Sequence, residues 1–209
     1  LWNGIDYANL GDLEKYQDQD GNPDPAKIEQ EKFRWLEFYK VKFKGSWYTR
    51  LFDKLVLRTH TEFGFLGAFN NDRGVIPFDR FFLGGDGMSQ YAMDGRETIS
   101  LRGYPNQSLS SQDGSTIYNR FSLELRYPIT LKPAASIYGL TFLETGQGYN
   151  NFREFNPFNG KRSMGLGLRI FMPAFGLLGI DFGYGLDSVN DFDLTPNGWE
   201  THFVIGQQF

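Results

Sequence analysis

The sequence predicts an all-β fold, a transmembrane antiparallel up-and-down sheet that forms the wall of a β-barrel. Three observations support this prediction. Segments of about ten residues alternate between apolar and polar side chains, short connections alternate with long ones, and the chain is rich in aromatic residues and glycine (21 Phe, 11 Tyr, 4 Trp and 25 Gly). No apolar run approaches the roughly 18 residues of a spanning helix. Passage through a membrane therefore has to use strands closed into a barrel.

The first three segments place apolar side chains on one face and charged side chains on the other. The apolar positions are Tyr39, Val41, Phe43 and Trp47; Leu55, Leu57, Phe63 and Phe65; and Ile117, Phe121, Leu123, Leu125 and Tyr127. The polar positions are Lys40, Lys42 and Lys44; Arg58, His60 and Glu62; and Arg120, Ser122, Glu124 and Arg126. Few soluble strands carry so many charges on one face, whereas a polar barrel lumen accommodates them.

The last three segments continue the alternation with glycine-rich polar faces. Their apolar positions are Met164, Leu166, Leu168 and Ile170; Leu178, Ile180, Phe182 and Tyr184; and Trp199, Phe203, Ile205 and Phe209. The polar positions are Gly165, Gly167 and Arg169; Gly179, Asp181, Gly183 and Gly185; and Glu200, His202 and Gly206. The fourth segment, near Ile137 to Gly146, is ambiguous in parity.

Loop lengths distinguish a barrel from an antiparallel sandwich, which also has one apolar and one polar face. The connections at 50–54, 130–134 and 173–176 are short, and those at 67–116, 147–162 and 187–198 are long. Tight periplasmic turns and long extracellular loops alternate in this way in outer-membrane barrels. Aromatic residues at the strand ends suit interfacial girdles; they are Trp47, Tyr48, Tyr127, Tyr149, Tyr184, Trp199 and Phe209.

The strand count predicts only part of a barrel. We expect residues 1–31 to form a polar extracellular loop segment and residues 32–209 to form the C-terminal part of the barrel, with a long lumen-directed loop at 67–116. Because bacterial single-chain barrels have even strand numbers, the chain would supply about seven to eight strands of a larger barrel of about sixteen. Leu1 is not an initiator Met, so we expect a mature or excised piece of a longer chain.

Composition argues against several functional classes. A net charge of −4 without a dense basic stripe argues against a nucleic-acid partner. The absence of cysteine excludes thiol catalysis and cysteine-based metal sites, and no catalytic constellation stands out, so we expect no enzyme activity and no cofactor. We interpret His60 and His202 as lumen-lining residues. The acidic stretch 187–193 could offer oxygen ligands to calcium but lacks a full calcium-loop pattern, so a solvated loop is the preferred interpretation.

Two motifs resemble the outer-membrane-protein-85 superfamily. The run Phe78 to Gly85 is followed by Leu101-Arg102-Gly103-Tyr104 inside the longest loop. It is similar to the sixth extracellular loop of that family, in which an aromatic approach and a Gly-Gly pair precede a Val-Arg-Gly-Phe type motif. The end Ile205-Gly206-Gln207-Gln208-Phe209 resembles the C-terminal targeting signal of outer-membrane barrels.

The resemblance covers about residues 33–209 and implies a site. In the family the loop Arg is held in the lumen by acidic side chains, which here match Glu124 and Glu144 as partners of Arg102. A planar guanidinium suits such carboxylates better than an ammonium does. Gly103 would permit a backbone geometry or a close approach that a side chain prevents. The last strand, with Phe203, Ile205, Gly206 and Phe209, would border a weak seam of the barrel.

The function implied by the resemblance is assembly of other barrels in the bacterial outer membrane. The implied partners are the lipid bilayer, unfolded client outer-membrane proteins and, by analogy with the family, accessory subunits of the lipoprotein type. Two alternatives stay open, a two-partner-secretion type polypeptide transporter of the same superfamily and a simple porin-like barrel. Whether Arg102 only stabilises the barrel or acts directly in insertion also stays open.

Overall fold

The computed structural model describes residues 24, 38–69, 75–76, 79–87, 96–132, 135–173, 176–190 and 194–206. The chain divides into two compact units, Leu1–Tyr39 with Gly67–Ile76 and Lys40–Leu66 with Pro77–Phe209. In the first unit the rings of Tyr39 and Phe69 meet edge to face, with centroids 5.3 Å apart. None of the described residues forms a helix long and apolar enough to cross a membrane. Except for Asp24, the predicted polar segment 1–31 lies outside the described residues.

The described part of the chain contains nine strands and one short 3-10 helix, Phe152–Glu154. They are β1 (Phe38–Phe52), β2 (Leu55–Ala68), β3 (Phe81–Leu83), β4 (Glu97–Ile99), β5 (Ile117–Lys132), β6 (Ala135–Tyr149), β7 (Lys161–Met172), β8 (Gly176–Gly185) and β9 (Gly198–Gly206). Seven of them form one sheet in the order β1-β2-β5-β6-β7-β8-β9. Neighbours from β2 to β9 pair antiparallel. The predicted all-β fold of seven long antiparallel strands is confirmed.

Short turns lie at one end of this sheet and long connections at the other, as the sequence predicted. Only Asp53 and Lys54 separate β1 from β2, and Asp53 has a positive φ of 30°, which a tight hairpin turn requires. The register of β5 against β6 shifts between Pro128 and Thr130. Proline has no N–H to give to the ladder, so a bulge at this position is expected.

The two faces of the sheet differ in what covers them. One face, called here the covered face, packs against residues 79–87 and 96–116 and carries buried polar side chains. The other face carries large apolar side chains that are exposed although most soluble proteins would bury them. These include Val41, Phe43, Trp47, Leu123, Leu125, Tyr127, Leu143, Met164, Leu166, Phe182, Trp199, Phe203 and Ile205.

The structure resolves the parity of the fourth predicted segment, which is β6. Leu140, Phe142 and Glu144 are buried on the covered face, whereas Thr141 and Leu143 are exposed. The sequence pattern was ambiguous because the covered face of this strand holds two large apolar residues. Both residues, Leu140 and Phe142, are on the face that the loop residues cover, and the guanidinium of Arg102 lies over the Phe142 ring.

Two residues at the long-loop end of the sheet depart from the prediction. Ile117 and Tyr149, expected on the apolar face and in an aromatic girdle, are only 5% and 9% exposed. The Tyr149 ring packs edge to face on Phe155 at 5.5 Å, and its hydroxyl donates to the carbonyl of Asn156 at 2.5 Å. Loop residues cover the strand ends here, so parity alone does not determine their environment.

The connection predicted as one long loop at 67–116 contains structure of its own. Strands β3 and β4 pair in parallel, with Phe81 opposite Glu97 and Leu83 opposite Ile99. The Phe81 ring packs on Tyr118 of β5 at 4.6 Å. Lys40 of β1 forms an ion pair with Glu97 at 2.9 Å. This small sheet therefore fixes the path of the segment across the covered face.

Candidate functional site

The residues Leu101 to Tyr104, called here the loop motif, begin one residue, Ser100, after the end of β4. Leu101 exchanges two backbone hydrogen bonds with Gly85, each 3.0 Å long, and its side chain is buried. Gly84 and Gly85, the pair singled out in the sequence, both have positive φ, 118° and 73°. That conformation favours glycine, so the Gly-Gly pair provides the turn that aligns the segment with the motif.

Arg102 lies at the centre of a buried cluster of carboxylates. Its Nη2 donates to Glu124 Oε1 at 2.7 Å and to Glu144 Oε1 at 2.5 Å. Its Nη1 donates to Asp181 Oδ2 at 3.2 Å, and its backbone N–H donates to Glu144 Oε2 at 3.1 Å. The guanidinium lies over the ring of Phe142, with the Cζ 3.7 Å from the ring centroid.

The cluster is possible because three strands place one carboxylate each on the covered face. Glu124 lies on β5, Glu144 on β6 and Asp181 on β8, with exposed fractions of 3%, 3% and 0%. The structure therefore brings Arg102 together with both acidic residues that the resemblance implied. Burial alone would lower the pKa of Arg102, but the facing carboxylates raise it above its ordinary value, so the guanidinium stays charged.

Each of these carboxylates is shared with a further arginine. Glu124 accepts from Arg126 at 2.5 and 2.9 Å, and Glu144 accepts from Arg120 at 2.8 Å. Asp181 accepts two bonds of 2.6 Å from Arg169. Charges of opposite sign thus alternate across the face, and each carboxylate has the cations that its burial requires.

Sequence reasoning missed Asp181 and its partner Arg169. A signal was present, since Asp181 is the only carboxylate on the polar face of β8, where its neighbours are Gly179, Gly183 and Gly185. An acidic side chain among glycines has room above it for another segment. The loop motif occupies that room.

Gly103 lies against the backbone of β8. Its φ is 87°, and a Cβ added there would lie 2.9 Å from the backbone nitrogen of Gly185. A Cβ added at Gly183 would lie 2.6 Å from the nitrogen of Gly103. The glycines on both sides therefore permit an approach that side chains would block.

Residues near β9 hold both polar groups of Gly103. The N–H of Gly103 donates to His202 Nε2 at 2.8 Å, and its carbonyl accepts from Asn197 Nδ2 at 2.9 Å. His202, expected to line a wet lumen, is on the covered face but only 3% exposed. Acting as acceptor requires an unprotonated Nε2, so this histidine serves the motif as a neutral ring.

Tyr104 links the motif to the long-loop end of the sheet. Its side chain is fully buried, and its hydroxyl donates to the carbonyl of Arg162 at 2.6 Å. The same oxygen accepts from the N–H of Asp187 at 3.3 Å. Burial raises the pKa of this hydroxyl to about 12, so it remains a donor throughout the physiological pH range.

The predicted seam residues lie on β9, which has one neighbour, β8, in the described sheet. Phe203 and Ile205 are 56% and 65% exposed on the apolar face. Gly206 ends the strand, and a Cβ added there would meet nothing within 4 Å. Phe209 lies outside the described residues.

Neither histidine belongs to a metal-binding group in the described residues, which contain no cluster of three or more candidate ligands. His60 bonds to Ser46 and to Glu62, both at 2.6 Å. In the acidic loop, Asp187 accepts from Arg162 at 2.7 to 3.1 Å. Residues 191–193 of the possible calcium stretch lie outside the described part.

We expect acid to loosen this loop. The hydrogen bond with Arg162 lowers the pKa of Asp187 below its ordinary value. A lowered pKa means that the contact stabilises the loop above the ordinary Asp pKa and is lost as the pH falls through the lower value. Amide exchange of residues 186–190, corrected for intrinsic rates, should therefore rise on acidification in the native protein. In Asp187→Asn it should be high already at neutral pH and insensitive to acid, and equal acid responses in the two proteins would contradict the prediction.

Comparison with known families agrees with the motif and its setting. Residues 28–209 match the family described as the Omp85 superfamily domain. No curated protein matches the chain closely enough to count as a relative. The matched range includes all seven long strands, the loop motif and the three carboxylates around Arg102. The chain therefore belongs to the Omp85 superfamily, whose proteins are assembly or transport factors of the outer membrane.

Proposed function

We propose that this chain is the C-terminal part of the barrel of a BamA-type assembly factor, which folds client β-barrel proteins and inserts them into the bacterial outer membrane. Membership of the Omp85 superfamily supports assembly or secretion in general. The chemistry that we propose is non-covalent. The barrel would act through its shape, its edge and its contact with lipid.

The observation that carries the proposal is the way the loop motif connects the sheet to its last strand. Arg102 binds carboxylates from β5, β6 and β8, and the next residue, Gly103, is bonded to His202 of β9. A displacement of β9 would therefore also move Gly103 and, through it, the neighbouring Arg102 in the buried cluster. This linkage is what we would expect of a barrel whose last strand opens while the rest stays folded.

The last strand itself suits templating of a client. A strand at the edge of a sheet presents unpaired backbone groups to which an incoming strand can add. Gly206 contributes no side chain that would pack on a neighbour, and glycine weakens a strand. The edge of β9 near Gly206 is therefore our candidate for the place where a client strand first pairs.

The partners follow from the same surfaces. The exposed apolar side chains of the sheet suit the hydrocarbon of the outer-membrane bilayer, and the edge of β9 suits an unfolded client. We also propose accessory subunits of the lipoprotein type, by analogy with the family. We propose no nucleic-acid partner and no cofactor.

The second candidate is a polypeptide transporter of the two-partner-secretion type. Unlike an assembly factor, such a transporter needs a lumen that is open enough for an extended polypeptide to pass through. Residues 79–87 and 96–116 lie on the covered face, where Arg102 is paired with carboxylates of the sheet, which favours assembly at the edge over passage through the lumen. A porin-like barrel is less well supported, because a porin needs an open lumen.

The test uses the full-length protein in lipid vesicles. A client barrel should fold faster than in protein-free vesicles, read as the heat-resistant folded band on a gel. A disulfide between the first and last strands of the complete barrel should abolish the acceleration, and reduction should restore it. Transport of a secreted polypeptide to a protease-protected position, with no client folding, would favour the transporter instead.

A further inference from the structure

Four large side chains form a row across the exposed apolar face of the sheet, near its long-loop end. Leu143 of β6 lies opposite Met164 of β7. Met164 lies opposite Tyr184 of β8, which lies opposite Trp199 of β9. The rings of Tyr184 and Trp199 meet edge to face, with centroids 5.3 Å apart. The register of the sheet therefore places one continuous band of apolar surface at this level.

An apolar groove with a volume of about 410 Å³ follows this row. Its lining continues to Thr141 and Leu166, the next pair toward the short turns on the same face. Thr141 is shorter than its neighbours, so the surface is recessed there. The strands that form the floor, β6 and β7, have both of their neighbours in the described sheet. The groove therefore does not depend on strands outside this chain, and it suits a hydrocarbon chain.

Arg162 lies on the same face of β7, closer to the long loops. It precedes Met164 by two residues, so its Cα lies about 7 Å further along the strand. Its side chain is 66% exposed, but its position is fixed. Nε donates to Asp187 Oδ2 at 3.1 Å and Nη2 to Oδ1 at 2.8 Å, and the backbone carbonyl accepts from the buried Tyr104 at 2.6 Å. A cation is thus held at one end of the apolar groove.

The guanidinium of Arg162 keeps donors that no described residue accepts. Of its five N–H groups, Asp187 engages those of Nε and one of Nη2, and both N–H groups of Nη1 are left. A planar guanidinium with two parallel donors suits a phosphate oxygen pair. The end of the groove therefore offers a binding point for an anionic headgroup.

A second cavity, polar and about 440 Å³ in volume, is lined in part by Arg162. Its lining includes Gln147, Phe158, Asn159, Lys161, Arg162 and Asp187. Two cations and one anion give this lining a net positive charge. The two amide side chains can each donate and accept, as the hydroxyl groups of a saccharide require. Small-molecule pockets have volumes of about 300–1,000 Å³, so the cavity has room for a headgroup larger than a phosphate.

We propose that the apolar groove and the polar cavity together bind one anionic glycolipid of the outer leaflet. An acyl chain lies in the groove, a phosphate binds Arg162, and the saccharide occupies the polar cavity. The long loops of outer-membrane barrels are extracellular, so Arg162 lies at the level of the outer headgroups. Only an amphipathic ligand matches both cavities. This site goes beyond the proposed function, because it requires a barrel in the outer membrane and neither assembly nor transport.

Binding of the phosphate is tested by native mass spectrometry of the full-length protein in detergent. The probes are an acylated, phosphorylated glucosamine disaccharide and its dephosphorylated form. The native protein should bind the phosphorylated probe about tenfold more tightly, the equivalent of about 1.4 kcal/mol, and this preference should be several-fold smaller in Arg162→Gln. Arg153→Gln, at an exposed position of the short 3-10 helix, should keep the native preference. No preference in the native protein, or an equal one in Arg162→Gln, overturns the site.

Binding of the acyl chain is tested by filling the groove. Thr141→Phe should weaken binding of the acylated, phosphorylated probe several-fold, whereas Val41→Phe, on the same apolar face but on β1, should not. Equal binding of the deacylated probe would overturn the groove, and equal binding of phosphatidylglycerol would overturn the assignment to a glycolipid. Folding of each variant is checked by its heat-resistant mobility on a gel. None of these measurements involves a client, so their failure is distinct from failure of the proposed function.

Discussion

Replacing Arg102 by Ala is expected to destabilise the complete barrel by about 3–5 kcal/mol and to impair client insertion. The change removes the guanidinium but leaves Glu124, Glu144 and Asp181 buried, with exposed fractions of 3% or less. Breaking a buried ion pair from one side costs about 3–5 kcal/mol because the remaining charge is uncompensated. Arg120, Arg126 and Arg169 still neutralise part of that charge, so we expect a weakened barrel and not complete unfolding.

The measurement is urea unfolding of the complete barrel in lipid vesicles, paired with client insertion by the same preparation. Arg102→Lys tests the geometry, because an ammonium keeps the charge but cannot reach three carboxylates with a planar fork; we expect about half the loss of the Ala variant. Arg153→Ala is the matched control, since Arg153 is exposed in the short 3-10 helix at Phe152–Glu154 and exposed charges contribute little. Native stability and insertion in Arg102→Ala would contradict the role that we give to this residue.

The fold was largely predictable from the sequence because alternation and loop length follow from simple requirements. A strand between lipid and a polar interior must alternate, and an up-and-down sheet must place its connections at two ends. Both signals extend over many residues. Ile117 and Tyr149 show where the signals fail, because loop residues cover those strand ends and local parity carries no information on what lies above a strand.

The central residues of the site could be predicted from the sequence, but the carboxylate contributed by β8 could not. Arg102 could be chosen from the motif, and Glu124 from its parity. Glu144 depended on the resemblance, because Leu140 and Phe142 obscure the parity of β6. Asp181 contacts Arg102 from a distant part of the chain. Such a contact depends on which strand the folded loop crosses, and that is set by tertiary packing.

The close approach of the loop motif to β8 predicts the second large effect. Gly183→Ala should displace the motif, because the added Cβ would lie 2.6 Å from the nitrogen and 2.9 Å from the Cα of Gly103. Both atoms are backbone and cannot rotate away as a flexible side chain would. Gly103→Ala combines overpacking with an unfavourable φ of 87°. We expect losses of about 2–3 kcal/mol for the first and about 3–4 kcal/mol for the second.

These losses should be accompanied by weaker contacts of Arg102, since it precedes the displaced residue. Gly139→Ala is the matched control: Gly139 is also a strand glycine, but a Cβ there would find its nearest neighbour, the Cδ1 of Ile129, at 3.9 Å. Because glycine in a strand interior is itself unfavourable by about 0.5–1 kcal/mol relative to Ala, this control should be neutral or slightly stabilised in the same urea titration. If Gly183→Ala behaves like Gly139→Ala, the motif does not press on β8, and the coupling of the loop to the last strands would have to rest on the ion pairs alone.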